Sequence, residues 1–180
     1  LFRSLEEGTP FDTIVATVLA PIQIDLGRRW VEGDVSIADE HAATAVVEEL
    51  LVLLAGGLAA GDGREVVVAC PEGDHHSMPG RIVSMSLGLS GLRARFLGAS
   101  LPARDLSAFL ESQRPFALAL SCSLPSALVG AWRSVAAAHA QGVPVVVGGR
   151  AFGDDPTRAL RIGADAWAVD AQAAVDAIGR

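Results

Sequence analysis

The sequence predicts an α/β domain of flavodoxin-like, Rossmann-type winding, a five-stranded parallel sheet preceded by a small helical bundle. Three observations predict it. The first third carries helix-start signals followed by apolar residues at helical spacing. Beyond residue 64, short continuous apolar runs alternate with helical segments, and a glycine-rich stretch separates the two regimes.

In the first regime, Thr9-Pro10-Phe11-Asp12 reads as an N-cap, a proline at the first helical position and an early carboxylate, with Ile14, Val15, Val18 and Leu19 as the apolar run. Ser36-Ile37-Ala38-Asp39 reads as a capping box with aspartate in the glutamate position. The helix it opens runs through Val46, Val47, Leu50, Leu51 and Leu54 to Gly56. The expected domains are therefore a helical bundle over 1–56, a glycine-rich connection over 57–63 and an α/β domain over 64–180. In the last, Val66–Cys70, Phe116–Leu120 and Val143–Val147 have the composition of strands buried on both faces, and Arg93–Leu97 and Ala164–Ala168 are weaker strands. Helices are expected near Met78–Leu89, Ala103–Ser112, Ser126–Ala140, Pro156–Ile162 and Ala171–Ile178. Right-handed crossovers wind such units most simply in the order 2-1-3-4-5, with a ligand crevice above the carboxyl ends of the first and third strands.

Composition excludes several classes. The formal net charge is −7, and all 14 basic side chains are arginines, scattered along the sequence. Nucleic-acid binding by this segment is not expected. Without lysine there is no Schiff-base nucleophile and no Walker-type phosphate loop. Cys70 and Cys122 form neither a metal-binding spacing nor a disulfide framework, which fits a reducing cytoplasm. Glu48 and Glu49 interrupt the longest aliphatic segment, so no membrane span is expected. The chain opens at Leu1, without methionine and inside what reads as a helix tail, so a preceding segment is expected.

Three unusual segments fall just after strands one, three and four: Gly73-Asp74-His75-His76, Ser121-Cys122-Ser123-Leu124 and Gly148-Gly149. Singly, each has an ordinary explanation as a solvated loop, a helix cap or a tight turn. Their convergence at one switch point is what marks a site. An imidazole suits a transition metal, and a carboxylate two residues earlier can hold its other ring nitrogen. The adjacent histidines leave two candidates, and the Asp-x-His spacing selects His76. Gly148 and Gly149 offer bare backbone to a bulky group, and the Ser121 hydroxyl can bond a nitrogen in the same slot. His139, Trp132 and Trp167 read as structural, His139 as a cation near a helix end.

At these residues the chain resembles the cobalamin-binding family. Gly73-Asp74-His75-His76 resembles the acid-x-His part of its signature, Ser121 its serine after the third strand and Gly148-Gly149 its double glycine, over about residue 64 to the end. The resemblance implies His76 as the lower cobalt ligand, displacing the cofactor's own base, with the freed nucleotide tail between sheet and helix. One position departs from the signature. Glycine normally stands three residues after the histidine, whereas this chain has Pro79 there and Gly80 next, and a proline restricts the loop.

Upstream, Trp30, nine residues and then Glu40-His41 resemble the cap of CarH-type light-dependent regulators. That resemblance implies that Trp30, Glu40 and His41 surround the upper face of the corrin and an adenosyl group. It also implies a light-responsive sensory domain of a bacterial regulator, homo-oligomeric, reaching DNA only through a preceding domain. A related photocobilin type adds a linear tetrapyrrole, biliverdin, as second chromophore. The cofactor contacts expected are thus Trp30, Glu40, His41, Asp74, His76, Ser121, Ser123, Gly148 and Gly149, with no catalytic residue. CarH-type sensors have a histidine directly after the cap tryptophan, and here Val31 stands there. The alternative class is a corrinoid methyl carrier, which shares the two-part layout. A flavin- or phosphate-binding flavodoxin-like domain ranks below both, because no phosphate cradle is evident.

Overall fold

The computed structural model describes residues 2–55, 61 and 63–179. The chain divides into two compact units, Leu1–Ala59 and Ala60–Arg180. Most of the connection expected over 57–63, and the helix end expected at Gly56, lie outside the described residues.

The first unit is helical. After α1 (Phe2–Glu6), α2 (Phe11–Ile14) runs without a break into a π-helical stretch (Val15–Leu19) and α3 (Ala20–Glu32). The N-cap is Pro10 rather than Thr9, because Pro10 has the extended ψ of 142° and helical geometry begins after it. Pro21 accounts for the wider turn. It has no N–H for the Thr17 carbonyl and its ring would strike that carbonyl in a regular helix, so the preceding turn opens to i→i+5 spacing. α3 stops at Gly33, whose φ of 82° suits glycine. Gly33 N–H donates to Trp30 O at 3.1 Å and Asp34 N–H to Arg29 O at 2.9 Å, a Schellman ending. The capping box is present: Asp39 N–H donates to Ser36 Oγ at 3.2 Å, and Ser36 Oγ and N donate to Asp39 Oδ2 at 2.6 and 3.3 Å. Those bonds, the hydroxyl's first, hold the Asp39 carboxyl below its usual range. α4 (Ile37–Ala55) buries Val47, Leu51 and Leu54 along one stripe, and Val46 faces outward. With Phe11, Ile14, Val15 and Leu19 they are the buried apolar residues of this unit among the described ones.

The second unit alternates β1 (Glu65–Ala69), α5 (Ser77–Leu89), β2 (Arg93–Phe96), α6 (Ala103–Gln113), β3 (Ala117–Ser121), α7 (Leu128–Ala140), β4 (Val145–Gly148), α8 (Thr157–Arg161), β5 (Ala166–Ala168) and α9 (Ala171–Gly179). All pairings are parallel and the strand order is the expected 2-1-3-4-5. Alternate residues feed two cores. Val67, Leu118, Leu120, Val145 and Val147 pack with Leu106 and Leu110 of α6 and Val135 of α7, while Val66, Val68, Ala119 and Val146 pack with Leu87 of α5 and Ile178 of α9. Each buried valine or leucine contributes about 1.5–3 kcal/mol, so the central strand β3, buried at every residue, anchors the unit.

Three expectations need correction. Phe116 precedes β3 instead of starting it, and lies partly exposed beneath the Arg64 guanidinium, 3.6 Å from ring centroid to Cζ. Trp132 is not a packing residue. It is 53% exposed, because Gly130, Ala131, Ser134 and Val135 take the buried face of α7. Nor are the arginines all scattered: the register Glu65↔Arg93 brings Arg93 and Arg95 to one carboxylate, at 2.7 and 3.2 Å. His139 bonds Asp165 through Nε2 at 2.8 Å, tying the end of α7 to the approach to β5. Among the described residues no helix is long and apolar enough to cross a membrane.

Candidate functional site

The parallel order puts the ends of β1, β3 and β4 side by side, with Ala69 opposite Leu120 and Ser121 opposite Gly148. The segments that follow β1 and β3 meet at Asp74, which is fully buried. Its Oδ1 accepts the His76 backbone N–H at 3.0 Å and lies 2.9 Å from His76 Nδ1. Its Oδ2 accepts Ser123 N–H and, at 3.3 Å, Leu124 N–H. A single carboxylate therefore joins the β1 loop to the β3 loop and orients a ring as well. The β2 loop braces it from a third side, with Ser100 N–H donating to Asp74 O at 2.8 Å and Gly73 N–H to Ser100 Oγ at 3.1 Å.

Since a carboxylate only accepts, the proton between Asp74 and His76 sits on Nδ1, which leaves the Nε2 lone pair as the free donor. The His76 side chain is about half exposed. Asp74 thus does for His76 what a ligand-orienting group must do: it selects the tautomer and holds the ring. His75 is exposed and follows the aspartate by one residue, too close for the same turn.

Other donors near Asp74 are unsuited to a metal. Burial first, and the Asp74 charge second, push both the Cys70 and Cys122 thiols up to about 12, so they stay protonated. Cys70 Sγ donates to His76 O at 3.4 Å and Cys122 Sγ to Leu124 O at 3.5 Å. Among the described residues no group of three or more histidine, cysteine or acidic side chains is placed to hold a metal ion. One imidazole alone suits a metal that brings its other ligands with it.

Ser121 is the last residue of β3, buried, rather than a residue following the strand. Gly148 closes β4. A Cβ there would come 2.8 Å from Ala168 O, and one on Gly149, at φ 106°, would come 2.3 Å from Cys122 O. These glycines are therefore required by the protein's own backbone, whether or not a ligand lies against them. Pro79 also has a role different from the one expected. α5 begins at Ser77 with His76 as its N-cap, so Pro79 stands in the first turn, where its missing N–H has no intrahelical acceptor to lose. The close approach is at Gly80, where a Cβ would meet Phe96 Cε2 at 2.8 Å and Cys70 Sγ at 3.3 Å.

The remaining expected contacts lie in the helical unit. Trp30, 46% exposed, stands on the last turn of α3, Glu40 on the first turn of α4 and His41 just after it. Glu40 Oε1 accepts the Thr44 hydroxyl at 2.9 Å, and Glu40 Oε2 lies 3.5 Å from His41 Nε2. Sequence reasoning did not find Ser100 or the Leu124 N–H. They reach Asp74 only because parallel pairing brings the loops after β2 and β3 beside the loop after β1.

A family model described as a B12 binding domain matches residues 64–178, and a second of the same description matches residues 1–55. The HTH-type transcriptional repressor CarH of Myxococcus xanthus is 35% identical over 104 residues, 58% of this chain and 35% of that protein. The HTH-type transcriptional repressor CarA of the same organism is 32% identical over 139 residues, 73% of this chain and 45% of that protein. The chain thus spans less than half the length of either relative. Among solved structures, the monomethylamine corrinoid protein of Methanosarcina barkeri aligns with a TM-score of 0.80 at 19% identity, over 97% of this chain and 85% of that one, a likeness of fold.

Proposed function

The chain belongs to the B12-binding domain family and carries a cobalamin-binding domain, and from that premise we propose that it is the light-responsive sensory part of a bacterial regulator. The observation that carries cobalt ligation is the Asp74–His76 pair, which leaves Nε2 of a half-exposed imidazole free. His76 is the lower ligand in this reading. Ser121, Ser123, Gly148 and Gly149 lie along the cofactor's nucleotide side, and Trp30, Glu40 and His41 serve its upper ligand. The donor set fits: one neutral nitrogen, held by a carboxylate, is what a corrin-bound cobalt needs from a protein. Adenosylcobalamin, when bound, would supply a light-sensitive cobalt–carbon bond. The chain's own residues hold and orient the cofactor and shield the upper ligand from water. DNA binding through a preceding domain and homo-oligomerisation complete the proposal, by likeness to the repressors.

Val31 sharpens it. Valine has no donor atom, so a light state locked by the residue after Trp30 is not available to this chain. His41 would then be the residue left to hold the cofactor's upper side after illumination, unless water took that place or biliverdin, as a second chromophore, carried the signal.

The test is absorption spectroscopy of the protein loaded with adenosylcobalamin in the dark and then illuminated. A sensor loses the adenosyl group on illumination, and a bilin-bearing one adds a long-wavelength band. Methyl transfer by cobalt(I) in the dark, with no photolysis, would establish the methyl-carrier reading instead. In the same spectra His76→Ala is expected to remove the imidazole ligand and His75→Ala to change little. Equal loss in both variants would overturn the assignment of His76.

A further inference from the structure

Three polar side chains cross the helical unit from α3 to α4. Thr44 Oγ1 lies 3.1 Å from the Gln23 side-chain oxygen and 2.9 Å from Glu40 Oε1. A hydroxyl has one proton, so Thr44 cannot donate to both. The other end of the same amide, Gln23 Nε2, is buried with no acceptor among the described residues. Two anomalies meet at one side chain, and one rotation removes both. Turning the Gln23 amide end for end changes no shape and gives Nε2–H the Thr44 oxygen as acceptor. Thr44 then spends its single proton on Glu40. The amide oxygen moves to the buried position, where an unpartnered carbonyl costs less than an unpartnered NH2.

We infer that Gln23 and Thr44 are positioning residues for Glu40, forming a directed chain in which Gln23 Nε2–H donates to Thr44 Oγ1 and Thr44 O–H donates to Glu40 Oε1. The chain fixes one carboxylate oxygen by a charge-assisted bond within α4, anchored to α3. It leaves Oε2, near the exposed His41 ring, as the acceptor presented outward. An acceptor held in that way selects for an upper ligand that carries hydroxyl donors, as a ribose does, over a methyl group, which has none. Neither Gln23 nor Thr44 was marked by the sequence, because a glutamine and a threonine 21 residues apart carry no pattern. The inference rests on the proposed placing of Glu40 at the upper ligand.

The experiment measures affinity of the full chain for adenosylcobalamin and for methylcobalamin in the dark, together with the melting temperature of the cofactor-free protein. Glu40→Gln and Thr44→Val are each expected to lower the adenosyl-to-methyl affinity ratio about tenfold, the scale of one charge-assisted hydrogen bond. Thr44→Ser, which keeps the hydroxyl, restores the ratio, and Gln23→Leu lowers it less, since the Thr44–Glu40 bond remains. A merely structural role would move the melting temperature and both affinities together and leave the ratio alone. Glu40→Gln lowering the ratio while Thr44→Val and Gln23→Leu do not would overturn the positioning chain and leave the proposed function standing. An unchanged ratio in Glu40→Gln would overturn the positioning chain together with the placing of Glu40 at the upper ligand, and the illuminated spectra test the proposed function separately. Should Thr44→Val fail to fold, Gln23→Leu and Thr44→Ser decide the matter.

Discussion

Replacing Asp74 with asparagine is expected to remove the imidazole ligand while leaving the sheet in place. The carboxylate accepts two N–H groups from the β3 loop on one oxygen, and the His76 backbone N–H and ring Nδ1 on the other. An amide has only one oxygen to offer. Turned toward the loop, its NH2 would face two backbone donors. Turned toward His76, it faces one backbone donor and a ring that can change tautomer. The second orientation is cheaper, and it converts Nδ1 to an acceptor and moves the ring proton to Nε2, the atom that must stay unprotonated to bind cobalt. The His76 N–H, whose acceptor was the buried Asp74 carboxylate, is orphaned, at about 1–3 kcal/mol, and the retained bonds lose their charge, for a total of about 3 kcal/mol. In a domain of this size that lowers the melting temperature by about 10 °C. Thermal melts by circular dichroism and the nitrogen splitting in the electron paramagnetic resonance of cobalt(II)-loaded protein measure the two effects. His76→Ala serves as comparison, because it removes the ring and leaves the backbone bonds to Asp74 intact, so its melt should fall much less. An Asp74→Asn protein that keeps both its melting temperature and the nitrogen splitting would refute the reasoning.

Further predictions follow from buried groups and close approaches. Ser134 Oγ, fully buried on α7 without a partner among the described residues, makes Ser134→Ala stabilising by about 1 kcal/mol in chemical denaturation, and a destabilised variant would show that the hydroxyl has a partner. A Cβ at residue 130 would come 2.4 Å from Glu72 O, a backbone atom that cannot swing aside, so Gly130→Ala is expected to cost about 1–3 kcal/mol and loosen the β1 loop. The thiols of Cys70 and Cys122 stand near 12 when folded and 9 when exposed, so the unfolded chain releases these protons first. Stability is then complete below pH 9 and falls as pH rises from 9 toward 12. Cys70→Ala with Cys122→Ala should flatten that alkaline limb, and an unchanged limb would place its origin elsewhere. The Asp165 carboxyl has the opposite sign. Burial works to raise it, but the Val145 N–H and His139 outweigh burial and hold it below its usual value, so its contribution is present above about pH 4 and lost as pH falls through the lower value. Asp165→Asn should remove that acid-sensitive part of the stability curve.

Much of this protein was legible in the linear order of its residues, because local physics sets it. Continuous valine and leucine runs bounded by glycine and proline determine strands buried on both faces, and Ser36 with Asp39 determines a helix start from four residues alone. The right-handed crossover then leaves little choice of strand order, so the adjacency of the ends of β1, β3 and β4 followed from topology. The Asp-x-His turn was readable for the same reason, since both partners lie within three residues. What lay outside the sequence's reach depends on residues far apart in the chain. Asp74 also binds the backbone of residues 49 and 50 positions away, and backbone N–H groups have no residue identity to read. Gly148 and Gly149 suggested room for a ligand, and only the packing revealed that Ala168 O and Cys122 O need that space. Pro79 seemed to constrain a loop until the start of α5 at Ser77 placed it in a helical turn, where a missing N–H costs nothing. Local propensity is written in neighbouring side chains, whereas buried hydrogen bonds and close backbone approaches arise only once distant segments have been brought together.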